Sequence, residues 1–163
     1  MIYIEELSPE KFAEFGTFLN PVDCGSALGD DSEGILFFPD RMIQQFKLST
    51  SIAISSLQIK PRALVITITE NHRETEEVIG GFTRDVCFHV GPAGARIPAE
   101  EKFKVFRLPA GWWVRIKKEV WHQGPFVLGN DSTLGIVVLP PETYKHDCNL
   151  VKLEKPLVIG FKN

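Results

Sequence analysis

Four residues in the middle of the chain have side chains that could move protons or hold a metal ion. Glu70, His72 and Glu77 lie close together in the sequence, and His122 follows after a long interval. The ordinary pKa of histidine lies near working pH, and burial can raise the pKa of a carboxyl group until it acts as an acid. Because two histidines and a carboxylate also suit a first-row divalent metal, the four residues predict either acid–base chemistry or a metal site.

The stretch that leads to His72 predicts a β-strand, because it is entered through Pro61 and is rich in β-branched residues. Side chains alternate between the faces of a strand. The residues expected on one face are Leu64, Ile66, Ile68, Glu70 and His72. An apolar face therefore leads into a carboxylate and an imidazole. Either these two groups lie at the mouth of a barrel, or the strand ends there and both turn into solvent.

Short apolar segments separated by turn residues recur along the rest of the chain. Further strands are predicted at residues 2–4, 35–38, 44–48, 51–59, 82–90, 104–108, 112–116, 120–122, 125–128 and 132–139. One short helix is predicted after Ser8 and Pro9, a loop at residues 20–33 and a turn at Gly80–Gly81. The segment from Pro140 onward is expected to cover the core. The pattern indicates an all-β fold, an antiparallel sandwich or small barrel.

Composition limits the classes of function. The chain has 163 residues, a size that favours one domain over residues 1–163, and a net charge of −3 without a basic stripe, which argues against nucleic acid as a partner. Its three cysteines are widely separated and form no CxxC pair. No signal peptide and no long apolar run is visible, so we expect no membrane association and a cytoplasmic location.

The spacing of the candidate residues resembles the two motifs of cupin-type barrels, His-x-His-x(3,4)-Glu and Pro-x-Gly-x-x-His. The corresponding segments are Glu70-x-His72-x4-Glu77 and Lys117-x-Glu119-x-x-His122. Such barrels, built as a double-stranded β-helix or jelly roll, bind ligands at one mouth with side chains from both motifs. The resemblance therefore implies that His72 and His122 share one pocket.

A more specific resemblance comes from three segments. These are the N-terminal run Ile4-x-x-Leu-Ser-Pro-Glu-Lys-Phe-Ala-Glu-Phe-Gly16, the Glu70-x-His72 pair and Val120-Trp121-His122. Together they resemble the ureidoglycolate lyase family, formerly called ureidoglycolate hydrolase. The resemblance implies a cupin-type barrel, a homodimer and a carbon–nitrogen lyase of the amidine-lyase type, which splits ureidoglycolate into glyoxylate and urea. It also implies that His72 and His122 are the active-site histidines and Glu70 the neighbouring acid.

The chain departs from the family pattern at several site positions. Lys117 stands where a histidine is usual, Glu119 near the usual glycine, and Gln123 where a second histidine follows. Glu77 replaces an expected glutamine, and Pro140–Pro141 replaces an Asp-Arg pair. These departures leave an alternative open, a cupin that binds or isomerises a sugar or another small metabolite.

For a lyase reaction, we expect neutral His122 to take the hydroxyl proton of a small carboxylated substrate. Glu70 or Glu77, with a pKa raised by burial, would protonate the departing nitrogen, and His72 would orient it. No cofactor is required. A divalent metal, Mn, Fe, Ni or Zn, is a candidate, with ligands drawn from Glu70, His72, Glu77 and His122.

The remaining candidates concern binding and assembly. Lys117 or Lys118 would hold the substrate carboxylate, and Gln123 would also contact the substrate. His89, among apolar neighbours, is expected to be a core or rim residue. The apolar chain ends, residues 2–4 and 157–159, would shield an edge by forming a homodimer, unless both ends cover their own barrel.

Overall fold

The computed structural model describes residues 1–23, 25–28, 34–46, 49–94 and 96–162. Within these ranges the chain is built mainly of short strands. They are β1 Ile2–Glu6, β2 Gly16–Leu19, β3 Ala53–Ile59, β4 Val65–Asn71, β5 Glu77–Gly80, β6 Val86–Gly91, β7 Lys104–Leu108, β8 Trp113–Ile116, β9 Trp121–His122, β10 Phe126–Val127, β11 Thr133–Leu139 and β12 Asn149–Gly160. The α-helices are α1 Pro9–Phe12 and α2 Thr143–His146, and Glu100–Lys102 forms a 3₁₀ turn. The predicted all-β class is confirmed.

The strands form two sheets. One has the order β10-β6-β7-β1-β12-β4-β9, and a further pairing of β6 with β9 joins its far strands into a ring. The other sheet has five strands in the order β2-β8-β5-β11-β3. This arrangement agrees with the predicted cupin-type barrel.

Two apolar cores lie on opposite faces of the ring. Val86, Phe88 and Val90 of β6 pack in a cluster with residues of the five-stranded sheet and with the helix α1. Cys87, between them in sequence, packs in a second cluster that includes Trp121. Because side chains alternate along β6, the first cluster fills the space between the sheets and the second fills the ring.

The N-terminal helix begins as predicted. The Ser8 side chain accepts a hydrogen bond from the backbone N–H of Lys11, and Pro9 occupies the first turn. Phe12 and Phe15 are almost fully buried, at 0% and 1% exposure. The short helix therefore serves to close one end of the core between the sheets.

Two predicted strands are wrong within the described residues. Residues 35–38 were expected to be buried, yet Phe37 forms a single bridge to Leu28 and is 62% exposed. Gln44 lies in an irregular segment, where its side-chain amide donates to the carbonyls of Glu76 and Val138 at 2.7 and 3.2 Å. Residues 47–48 of that predicted strand lie outside the described residues.

The alternation predicted along β4 is interrupted. Ile66 packs inside the ring, and Thr69 also faces the ring, where its hydroxyl bonds His89. Residues on one face should be an even number apart, so the pleat is broken between them. The pairing of β12 with β4 shifts its register at the same place. Glu70 and His72 therefore lie on the opposite side from Ile66, contrary to the prediction.

The predicted turn at Gly80–Gly81 is half wrong. Gly80 is the last residue of β5, which lies between β8 and β11, and a Cβ atom there would stand 2.5 Å from Cα of Trp113. Gly81 alone of the two has a positive φ, +64°. The first glycine permits close strand approach and the second makes the turn.

The C-terminal segment is part of the ring. Strand β12 pairs with β4 on one side and with β1 on the other, where Ile2 lies opposite Ile159. Both chain ends are thus paired within one chain, in agreement with the alternative that the ends cover their own barrel. In the described part of the chain, no helix has the length and apolarity needed to cross a bilayer.

Candidate active site

Three side chains predicted from the sequence meet between the sheets. His122 of β9 lies opposite Glu70 of β4, His72 follows the end of β4, and Glu77 begins β5. The Oε2 atom of Glu77 lies 3.1 Å from Nε2 of His72 and 3.4 Å from Nε2 of His122. The exposed fractions are 4% for His72, 8% for Glu77 and 2% for His122, so the cluster is shielded from water.

The backbone fixes the tautomer of both histidines. Nδ1 of His72 lies 2.6 Å from the carbonyl oxygen of Asp147, and Nδ1 of His122 lies 2.8 Å from that of Val120. A carbonyl oxygen can only accept, so both Nδ1 atoms carry a hydrogen. In the neutral rings, both Nε2 lone pairs then face an oxygen of Glu77. This arrangement requires a shared proton or a bound cation at the point where the three atoms meet.

The electrostatics of the cluster assign the charges. Burial alone would raise the pKa of Glu77, but the hydrogen bonds and charges of His122 and His72 lower it to about 2. Burial likewise opposes protonation of His72, yet the nearby Glu77 carboxylate raises the pKa of His72 above its ordinary value. Glu77 is therefore ionised. The expectation that burial makes it an acid is wrong, because the two imidazoles outweigh the loss of water.

The predicted binding residues are placed unevenly. Lys117 donates from Nζ to the carbonyls of Ala13 and Glu14 at 2.6 and 3.3 Å, and Lys118 is exposed to solvent. Among the described residues that line the cavity at the cluster, neither lysine is present. Gln123 lines it, together with Glu77 and His122. The cavity offers about 10 Å³, space for about one water molecule, so a substrate must displace side chains to enter.

A comparison of the whole sequence with known protein families supports this site. The model of the ureidoglycolate lyase family matches residues 1–160 of the chain. The chain belongs to the ureidoglycolate lyase family. No individual curated protein shows significant similarity to it. The match spans both sheets and all three residues of the cluster, so it supports the lyase interpretation, and nothing favours the sugar-binding alternative.

In this member of the ureidoglycolate lyase family, Glu70 is close to the cluster without joining it. Its Oε2 atom accepts a hydrogen bond from Sγ of Cys148 at 2.9 Å. Burial, and to a smaller extent the hydrogen bond to Glu70, raise the pKa of that thiol to about 12, so the thiol keeps its proton. The His/Glu/His donor group consists of His72, Glu77 and His122, whose ligand atoms lie within 4.8 Å of one another. Glu70 is therefore a neighbour of the cluster rather than a member.

Asp147 is the residue of this lyase-family site that sequence reasoning missed. Its carboxylate accepts from the backbone N–H groups of Arg73 and Glu74 at 2.8 and 2.9 Å, while its own carbonyl accepts from His72. Asp147 thus ties the loop after β4 to the segment before β12. The contact that reaches His72 uses the backbone, so the residue type carried no direct signal. The contacts of its carboxylate with Arg73 and Glu74 could not be predicted either, because Asp147 lies more than 70 residues further along the chain.

Proposed function

We propose that the chain cleaves the carbon–nitrogen bond of ureidoglycolate and releases glyoxylate and urea. The observation that carries this proposal is the buried His72–Glu77–His122 cluster in a chain that the family model matches over residues 1–160. The reaction needs a base for the substrate hydroxyl and an acid for the departing nitrogen. A cluster of two imidazoles with one carboxylate can supply both.

His122 is the proposed base. Its Nδ1 hydrogen is donated to the Val120 carbonyl, so the neutral ring keeps its lone pair on Nε2, and the side chain lines the cavity. Nε2 takes the hydroxyl proton, the electron pair of that O–H bond becomes the second bond of the new carbonyl group, and the carbon–nitrogen bond breaks. The electron pair of the broken bond stays on the nitrogen, which leaves in urea.

His72 takes the place of Glu77 as the proposed acid, since the pKa of His72 is raised and that of Glu77 is lowered. The protonated ring gives its Nε2 hydrogen to the departing nitrogen, which completes urea. After the reaction, His122 holds the extra proton and His72 has lost one. Oε2 of Glu77 lies near both Nε2 atoms and provides the path by which the proton returns.

In place of the proton that they share, the same three residues would hold a divalent metal. Two imidazole nitrogens and a carboxylate oxygen are a donor set suited to Zn, Fe, Mn or Ni, and all three atoms are free of hydrogens when the rings are neutral. A bound metal would polarise the substrate hydroxyl and lower its pKa. Gln123, at the cavity wall, is the proposed polar contact for the substrate.

The test is to measure glyoxylate and urea after purified protein is mixed with ureidoglycolate. Equal amounts of both products are expected, with a rate that falls by about a hundredfold or more in His122→Asn. His146→Asn is the matched control, because the His146 side chain is 73% exposed and lies outside the cluster. Release of glyoxylate no faster than in buffer would contradict the proposal.

Assembly and location are also proposed. The free thiols Cys87 and Cys148 suit a reducing cytoplasm. A homodimer would cover β3, one of the two outer strands of the five-stranded sheet, where Ile54 is 69% exposed and Ile52, just before the strand, is 52% exposed. The apolar pattern of residues 51–59 predicts that Ile52, Ile54, Leu57 and Ile59 all face inward across a bulge or bend. Strand β3 pairs with β11 in an unbroken register, so side chains alternate, and only Leu57 and Ile59 pack against the core.

A further inference from the structure

His122, the proposed base, lies on a strand of only two residues. Strand β9, Trp121–His122, has one paired position in β4, where Glu70 lies opposite His122, and two in β6. Residues 123–125, which follow, belong to no strand. Because so short a strand contributes few backbone hydrogen bonds, other groups must help to fix the position of the His122 ring.

One such group is the side chain of Thr69, which lies on the face of β4 opposite the cluster. Its hydroxyl oxygen lies 3.1 Å from the main-chain carbonyl oxygen of His122 and 2.9 Å from Nε2 of His89. A carbonyl oxygen can only accept, so the hydroxyl donates its single hydrogen to His122 and must accept from Nε2 of His89. Two consecutive hydrogen bonds therefore run from His89 through Thr69 to the backbone of His122.

His89 is held in the state that these bonds require. Its side chain is 1% exposed, and its ring stacks on that of Phe103 with 5.2 Å between the ring centres. Burial, and to a smaller extent the neighbouring His122, lower the pKa of His89 to about 3, so the ring is neutral and keeps one hydrogen, on Nε2. A fixed, neutral donor at this position sets the direction of the Thr69 hydroxyl.

The other ring nitrogen of His89 indicates that the residue does more than fill space. Nδ1 is enclosed and has no hydrogen-bond partner in the described part of the chain. A buried acceptor without a donor lowers the free energy of unfolding, and a leucine of similar volume would avoid that loss. The chain thus keeps a destabilising polar group whose hydrogen bond leads to His122, as is expected of a residue that serves a site.

We propose that His89 and Thr69 are positioning residues for His122. The pair holds the His122 carbonyl from behind the strand and so keeps Nε2 of the ring in its place, 3.4 Å from Oε2 of Glu77. Because Nδ1 of the ring is bonded to the Val120 carbonyl, ring and backbone move together. A displacement of about 1 Å in a reacting group can lower a rate by about a hundredfold. This role rests on the proposed lyase reaction, whereas the hydrogen bonds themselves do not.

Steady-state kinetics of ureidoglycolate cleavage test the Thr69 hydroxyl. Thr69→Val removes the hydroxyl, and kcat should fall by about tenfold or more while KM changes by less than about threefold. Thr69→Ser keeps the hydroxyl and should hold kcat within about threefold of the native value. Thr133→Val is the matched control and should leave kcat unchanged, because Thr133 is 1% exposed and its hydroxyl bonds that of Thr83 at 3.1 Å. Equal losses in Thr69→Ser and Thr69→Val overturn the role of the hydroxyl.

Variants of His89 separate positioning from a contribution to stability. His89→Leu removes the Nε2 donor together with the unpaired Nδ1, so the free energy of unfolding should stay the same or rise while kcat falls by about tenfold. His89→Gln, whose side-chain amide can donate from nearly the position of Nε2, should recover kcat to within about threefold of native. A native kcat in His89→Leu, or no recovery in His89→Gln, overturns the positioning role.

NMR of the His122 ring tests the same hydrogen bonds without the reaction. The Nδ1 hydrogen of His122 is bonded to the Val120 carbonyl, so it should exchange slowly with water. Exchange should be about tenfold faster in Thr69→Val and His89→Leu and native in Thr69→Ser and Thr133→Val. Native exchange in both Thr69→Val and His89→Leu overturns the positioning role; if Thr69→Val does not fold, His89→Leu decides. If the native protein releases no glyoxylate, the lyase function fails, and the exchange rates alone decide on the role of the pair.

Discussion

Replacing Glu77 with glutamine keeps the shape of the side chain and removes its charge. In the native protein, burial opposes protonation of His72, and the Glu77 carboxylate outweighs it. In Glu77→Gln, the carboxylate that raises the pKa of His72 is absent while the effect of burial remains, so the pKa of His72 should fall. An opposite charge at such a distance is worth about 1 to 3 pKa units, and we expect a fall of at least about one unit. The site would then lose both its proposed acid and its proton path.

The same charge sets how stability depends on pH. The pKa of Glu77 is lowered from 4.5 to about 2, and at about 1.4 kcal/mol per unit this corresponds to roughly 3 kcal/mol. Because the folded pKa lies below the unfolded value, this stabilisation is present above about pH 4.5 and is lost as the pH falls toward 2. The raised pKa of His72 arises from the same attraction between His72 and Glu77. The stabilisation linked to His72 is present below about pH 6.5 and is lost as the pH rises through the folded pKa of His72. The two pKa shifts therefore describe one contribution to the free energy of unfolding, and they are not added together.

The assay is a pair of measurements on native protein and variant. NMR titration of the histidine ring protons gives the pKa of His72, and urea unfolding between pH 2 and 7 gives the free energy of unfolding. We expect Glu77→Gln to lose about 1–3 kcal/mol near pH 6 and almost nothing at about pH 2, where Glu77 is protonated in the native protein as well. Glu76→Gln is the matched control, since this acid faces Arg115 at 3.6 Å and no histidine. An unchanged His72 pKa in Glu77→Gln would refute the charge assignment.

Three further outcomes are expected. Asp147→Ala should lower the free energy of unfolding by about 1–3 kcal/mol in urea, because two backbone N–H groups lose their acceptor; an unchanged value would contradict the proposed tie. Protein purified without chelator should carry more zinc, by elemental analysis, than Glu77→Gln; equal contents would exclude the cluster as the metal site. Light scattering should give about twice the 18.3 kDa chain mass for native protein and the monomer mass for Ile54→Lys; a native monomer would remove the dimer.

The parts of the site that sequence could predict are those fixed by short-range spacing. His72 and Glu77 are separated by one tight loop, and the pairing of β9 with β4 brings His122 close to both. The family motifs encode that geometry, so the meeting of these residues could be inferred. Their charges could not, because the pKa of Glu77 depends on which atoms of the two rings face it. Only the carbonyls opposite each Nδ1 decide this.

Long-range features of the fold were beyond the sequence pattern. Apolar side chains such as Phe37 and Ile54 were assigned to the interior because hydrophobic residues are usually buried, yet both are exposed. The twelve-residue strand β12 was hidden because Lys152, Glu154, Lys155 and Pro156 interrupt its apolar pattern at the register shift with β4. A strand that bulges loses its period of two, which is the signal that sequence analysis uses.

The C-terminal segment explains why distant residues control this site. Asp147 contacts His72, Cys148 contacts Glu70 and Asn149 bonds the side chain of Asn71 at 3.2 Å. Asn149 lies opposite Asn71 in the antiparallel pairing of β12 with β4, and Asp147 and Cys148 immediately precede this first pair. The start of β12 thus positions the carbonyl that sets the His72 tautomer. A substitution that shifts this register moves the proton-bearing atom of the site, although it lies some 75 residues further along the chain.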